Sequence, residues 1–246
     1  MLAEREARGW DGISCGVELI GAERPGMEAY VRWQNSLVSP EQMSAARFIE
    51  IPALHQTAIF TRAAVEEVLA TAGGSYRDGP LGEGPGDSLD VPVDYWWWLT
   101  FFALGKRCGK LPGEPLFGWR QHPRQHTRTH GRLAIESLRS VKAFYFAQGP
   151  AQGAAQVQVW STGATLAGWV NELRAIGAMD IIPVEWKPGA PLPEVWRLRS
   201  KRKLEDAGDS ERSDVVRLFA YGKEKARAKV RASVRDWDDK LDWFGA

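Results

Sequence analysis

The sequence predicts an α/β protein throughout, and three observations carry that reading. Short β-branched or aromatic runs alternate with longer helix-like segments along the whole chain instead of being segregated. Glycines and prolines sit at the joints between them, where helices begin and end. Beyond Ala155 the order tightens to strand, turn, helix, strand, the grammar of a parallel sheet with crossover helices.

The elements follow in order. A short charged helix opens the chain, and residues 13–20 read as one strand-like run through Val17, Leu19 and Ile20. Residues 26–33 and 41–48 read as helices. Ser39 before Pro40 has the chemistry of an N-cap with Pro in the first turn. Residues 58–60 form a short apolar strand, and 62–72 a helix stopped by Gly73-Gly74. Residues 78–90, rich in Gly and Pro, read as a mobile loop.

A helix resumes at Pro92 and carries Trp96, Trp97, Trp98, Leu99, Phe101, Phe102 and Leu104 before Gly105. Apolar residues all round predict burial, so the tryptophan triplet reads as core rather than as a platform for stacking sugars. Residues 116–119 form a short strand, 135–146 an amphipathic helix, and 149–155 a linker by composition. Then come strands at 157–160, 181–184 and 215–220, with helices at 166–176 and from 224 to about 235. The domains predicted are 1–148 and 153–246.

Charge and cysteine usage exclude several classes. Lys plus Arg is 32 and Asp plus Glu 31, a net charge of +1, which offers no field to steer nucleic acid or an anionic membrane. The basic stretch at 197–203 is followed by Glu205, Asp206 and Asp209 and reads as a solvated loop. The longest apolar stretch, 95–104, falls short of the roughly 20 residues a bilayer span needs. The N-terminus carries no signal-peptide pattern, and a cytoplasmic protein is expected. Cys15 and Cys108 lack partners at metal-ligand spacing and read as buried thiols in a reducing compartment.

Asp94 is the first candidate for chemistry. It lies in the first turn of the apolar helix, just after the Gly-rich loop. The positive helix end favours its anion, and a carboxylate so placed can act as general base. The plain alternative is a group that merely caps the helix.

The residues around it come in a definite order. His55-Gln56-Thr57-Ala58-Ile59-Phe60-Thr61-Arg62 is followed by Gly73-Gly74-Ser75-Tyr76-Arg77. Val91-Pro92-Val93-Asp94-Tyr95-Trp96-Trp97-Trp98-Leu99 follows, then Lys110-Leu111-Pro112, Trp119-Arg120-Gln121-His122-Pro123 and Thr127-Arg128. This series resembles the second half of the inverting family-2 glycosyltransferases, of the GT-A type, over roughly residues 13–146. Within that family it is most similar to the UDP-GlcNAc:βGal β-1,3-N-acetylglucosaminyltransferase-like proteins. Trp160-Ser161-Thr162-Gly163, Ala220-Tyr221-Gly222 and Asp242-Trp243-Phe244 extend the likeness more thinly to the end.

The resemblance implies a fold, a reaction and a set of sites. The fold would be the acceptor-side, C-terminal half of a GT-A nucleotide-sugar transferase domain, followed by a small Rossmann-like α/β domain. The reaction would be inverting hexosyl transfer from a nucleotide-sugar to a glycan, with Asp94 as base. His55, Thr57, Gly73, Gly74, Arg120 and His122 would bind substrate, His122 also standing where a donor's metal is held. Val93 replaces the family's glutamate beside the base. A divalent ion, manganese or magnesium, is expected for the family, whose Asp-x-Asp motif would precede the start of this sequence. Asp236-Trp237-Asp238 has those letters at the wrong end of the chain and reads as coincidence. An alternative implied by these departures is a non-catalytic remnant that binds glycan or protein.

The second domain reads as a structural Rossmann-like unit rather than a dinucleotide site. Ser161-Thr162-Gly163-Ala164-Thr165-Leu166 lies between strand and helix, with Glu185 ending the next strand. Of the three glycines such a turn needs, only the middle one survives, as Gly163.

Overall fold

The first apolar run is two strands, broken at Cys15-Gly16. The computed structural model describes residues 1–21, 25–71, 92–121, 134–177, 179–196 and 215–246, and the chain divides into two compact units, Met1–Val141 and Lys142–Ala246. In unit 1, β1 (Gly12–Ser14) lies between β3 (Ala58–Phe60), antiparallel, and β4 (Cys108–Lys110), parallel. β2 (Val17–Ile20) pairs in parallel with β5 (Phe117–Arg120), Leu19 opposite Trp119. The side chain of Asn35 meets the Val17 peptide as a strand would. Val17 N donates to Asn35 Oδ1 (3.0 Å), and Asn35 Nδ2 donates to Val17 O (2.8 Å).

The helices follow their end chemistry. α1 (Leu2–Arg8) stops at Gly9, whose φ of 61° suits a residue without Cβ. α2 (Pro25–Ser36) supplies Asn35, and α3 (Pro40–Ala46) starts in a complete capping box. Gln42 N donates to Ser39 Oγ (3.2 Å), and Ser39 N donates to Gln42 Oε1 (3.0 Å). α4 (Arg62–Thr71) ends at the edge of the described residues.

α5 (Val93–Ala103) is the core of unit 1. Every residue from Tyr95 to Phe102 is buried, Trp96, Trp97 and Trp98 at no more than 1% exposure. The triplet is therefore packing, as its all-round apolarity predicts. Trp97 stacks on Phe101 with centroids 5.1 Å apart and meets Phe60 at 4.1 Å, while Trp98 stacks on Phe102 at 5.7 Å. The boundary between the units falls inside α6 (Ile135–Gln148).

Unit 2 holds a four-stranded, wholly parallel sheet in the order β7-β6-β8-β9. Its strands are β6 (Gln156–Ser161), β7 (Asp180–Glu185), β8 (Val215–Ala220) and β9 (Asp242–Gly245). α7 (Gly163–Ile176) follows β6, and α8 (Glu224–Ser233) follows β8. β6, β7, β8 and both helices stand within a few residues of the positions that periodicity predicts. β9 has no expectation behind it. A buried ion pair joins it to β8, Arg217 gripping Asp242 with two guanidinium nitrogens. Among the described residues no helix is long and apolar enough to cross a membrane.

Candidate functional site

The N-terminal turn of α5 places one charge at the edge of an apolar helix. Pro92 precedes the helix, and its carbonyl accepts from Trp96 N at 2.9 Å. Val93 is half-buried and Asp94 exposed, before eight buried positions follow. The carboxylate thus lies by the unsatisfied N–H groups of the first turn, where an anion is favoured. Trp97 and Trp98, three and four residues on, share its side of the helix.

His55 comes to that side from elsewhere in the chain. It opens a 3-10 turn, His55–Thr57, leading into β3. Thr57 N donates to Leu54 O (2.9 Å), and Cys15 N donates to Thr57 O (3.2 Å), which ties the turn to the strand pair. The imidazole packs edge-on against Trp97 (centroids 5.0 Å) and Trp98 (6.5 Å), with Phe60 at 5.7 Å. Burial pushes its pKa below the ordinary histidine value, and the charge of Asp94 pulls it back up.

The other predicted site residues are distributed. Thr57 is buried, and its hydroxyl donates to Leu54 O (2.7 Å), so it serves the turn. Arg120 is exposed at the end of β5, opposite Ile20. Gly73, Gly74 and His122 lie outside the described residues. His55 thus meets α5 through Trp97 and Trp98, one turn on from Asp94, while Arg120 ends a separate strand.

Lys110 is a feature that sequence reasoning passes over. It is 2% exposed, and its Nζ donates to Gln34 O (2.5 Å) and Pro52 O (3.4 Å). Burial lowers its pKa to about 8, opposed by the nearby thiols of Cys108 and Cys15. Those two cysteines are free and buried, and burial raises the pKa of each, so they are inert thiols rather than nucleophiles. Lys110 ends a three-residue strand, too short to show a periodicity that would reveal a buried charge.

Asp236-Trp237-Asp238 follows α8, and Asp238 is engaged in a turn. Its N donates to Asp242 Oδ2 (2.8 Å), and its Oδ1 accepts from Lys240 N (3.0 Å). Among the described residues no three His, Cys, Asp or Glu side chains gather as metal ligands.

The turn after β6 is likewise occupied by the protein's own bonds. Ser161 is buried, and its hydroxyl donates to Ala220 O (2.7 Å) across the gap between the C-terminal ends of β6 and β8. Trp186 N donates to Ser161 O (3.0 Å) on the β7 side. In an open parallel sheet this gap is where ligands enter, and here it is bridged. No family model, curated protein or solved structure matches this chain.

Proposed function

We propose that unit 1 is the acceptor-side part of an inverting family-2 glycosyltransferase, with Asp94 as the general base. The observation that carries this reading is a lone exposed carboxylate at the N-terminal turn of a helix otherwise buried from Tyr95 to Phe102. A glycan hydroxyl placed there would give its proton to Asp94. The freed oxygen would attack the anomeric carbon of a nucleotide-sugar, and the diphosphate would leave from the opposite face with inversion. The donor is of the UDP-N-acetylglucosamine class and the acceptor a galactoside. Arg120, exposed at a strand end, suits a phosphate.

Manganese or magnesium would accompany such a donor and neutralise the leaving diphosphate. A Rossmann-like second domain, a cytoplasmic setting and the absence of a nucleic-acid partner belong to the same reading. A second reading, a non-catalytic module that binds glycan or protein, is favoured by one residue. Val93 stands where the resemblance calls for glutamate, removing an acceptor of sugar hydrogen bonds.

The test is a titration of isotope-labelled full chain with β-galactoside oligosaccharides, followed by amide NMR. The reading predicts perturbations centred on His55, Val93 and Asp94 that weaken in Asp94→Ala. Perturbations confined to unit 2, or none at all, would contradict it.

A further inference from the structure

We infer that the outward face of α8, in unit 2, docks on an anionic phospholipid surface through Lys223, Lys225, Lys229 and Arg235. This surface stands apart from the sugar-transfer reading and uses none of its residues.

The chain's charge is unevenly spread. Six of its 32 lysines and arginines fall between positions 223 and 235, with Glu224 the one acid among them. α8 turns Arg227 and Val230 into the interior of unit 2. Lys225, Ala228, Lys229 and Ala232 recur at the i, i+3, i+4 and i+7 spacing of one helix face, and all four are exposed. Lys223, ahead of the first turn, and Arg235, past the last, are exposed at its two ends. Glu224 stands to one side, about 100° round the helix from Lys225. The exposed Asp236 follows Arg235 and trims the charge at that end. Arg231 is engaged elsewhere, over the Trp237 ring at 3.7 Å and 3.4 Å from Asp239. Among the described residues the other four exposed cations make no ion pair.

This placement weakens the helix that carries it. Lys225 and Lys229 are a like-charge pair at i, i+4, which destabilises a helix. Lys223 is the N-cap and makes no side-chain cap, where Ser, Thr, Asp or Asn would be favoured. Lys223 and Lys225 also stand at the positive end of the helix dipole. Cations kept where local rules disfavour them mark a function outside the helix.

The chemistry of the face selects the partner. It is a ridge whose other exposed residues are alanines, so it offers a folded protein no large apolar anchor. It also lacks exposed aromatics on which unpaired bases stack. A bilayer surface needs neither, because its anionic headgroups move laterally to meet a row of cations. Clusters of about 4–8 Lys or Arg on a helix are the pattern of anionic-lipid binding, and four stand here. With no large apolar residue on the ridge, the contact is electrostatic and stays at the level of the headgroups.

The experiment is flotation of the full chain with vesicles of phosphatidylcholine alone and of phosphatidylcholine with phosphatidylserine. The docking predicts binding to the phosphatidylserine vesicles only, weakened by added salt. Each cation near such a surface contributes about fivefold, so Lys225→Gln with Lys229→Gln should lower partition by about tenfold or more. Lys225→Arg with Lys229→Arg keeps the charge and should keep the binding. Arg32→Gln, at an exposed position of α2, should leave it unchanged. Equal thermal midpoints show that the variants fold alike. Equal partition onto the two kinds of vesicle, or none onto either, overturns the docking. Partition of the Gln double variant equal to wild type does so as well. Retention by duplex DNA at the same salt, without vesicle binding, would give the face to nucleic acid and overturn it equally.

Discussion

Lys110 shows how far a single side chain can stand from its usual surroundings. Its ammonium is enclosed in unit 1 and satisfied by two backbone carbonyls, Gln34 O from α2 and Pro52 O from the segment leading to His55. Its folded-state pKa of about 8 lies below the ordinary 10.5, because burial penalises the charge. Between those two values the unfolded chain binds more protons than the folded one, so this group makes stability rise with pH. The fall corresponds to roughly 3 kcal/mol. Urea unfolding across that range should therefore show the wild type gaining on Lys110→Met as pH rises from 8 towards 10.5. Parallel stability curves for the two proteins would show that the amine titrates normally. In unit 2 the Arg217–Asp242 pair is buried on both sides, with the guanidinium 3.6 Å from the centre of the Trp196 ring. Asp242→Asn removes the carboxylate that Arg217 grips in a buried setting and should cost about 3–5 kcal/mol. Replacing both partners with apolar residues should recover much of the loss. An Asp242→Asn midpoint equal to wild type would mean that solvent reaches the pair.

Among the elements, α5 and α3 were legible in the sequence, for different reasons. α5 is apolar on every side, so no orientation keeps it at the surface, and burial of its tryptophans follows. Trp97→Ala should cost about 3–5 kcal/mol by thermal or urea unfolding, since a ring packed against Phe60 and Phe101 leaves a cavity. A loss of galactoside binding without loss of stability would instead favour a sugar platform. α3 announces itself through Ser39 and Pro40, and Ser39→Ala should cost about 1 kcal/mol through the lost capping box. What was not legible depends on partners distant in sequence. The break between β1 and β2 comes with Asn35, 18 residues away, taking both bonds of the Val17 peptide. β4 contains a buried lysine that no strand pattern announces, and β9 is secured by an ion pair to β8. The site divides the same way. Asp94 follows from helix-end electrostatics, whereas the apposition of His55 requires β3 and α5 to pack.

At the scale of the whole molecule, the chain divides into two compact units of different chemistry. Unit 2 has a parallel sheet whose ligand gap is bridged by Ser161 and Ala220, and Gly163 is the lone glycine of its turn. Calorimetric titration of NAD and NADP against the full chain should therefore show no low-micromolar binding, and such binding would mean that the bridge opens. Unit 1 carries the central claim, that Asp94 is a base for glycosyl transfer. The most direct measurement joins the chain to the donor-binding half of a family-2 transferase and follows transfer from UDP-N-acetylglucosamine, with manganese, to a panel of galactosides. The account predicts turnover by the joined protein that falls about a hundredfold or more in Asp94→Asn. Turnover that is equal in the two proteins would contradict it.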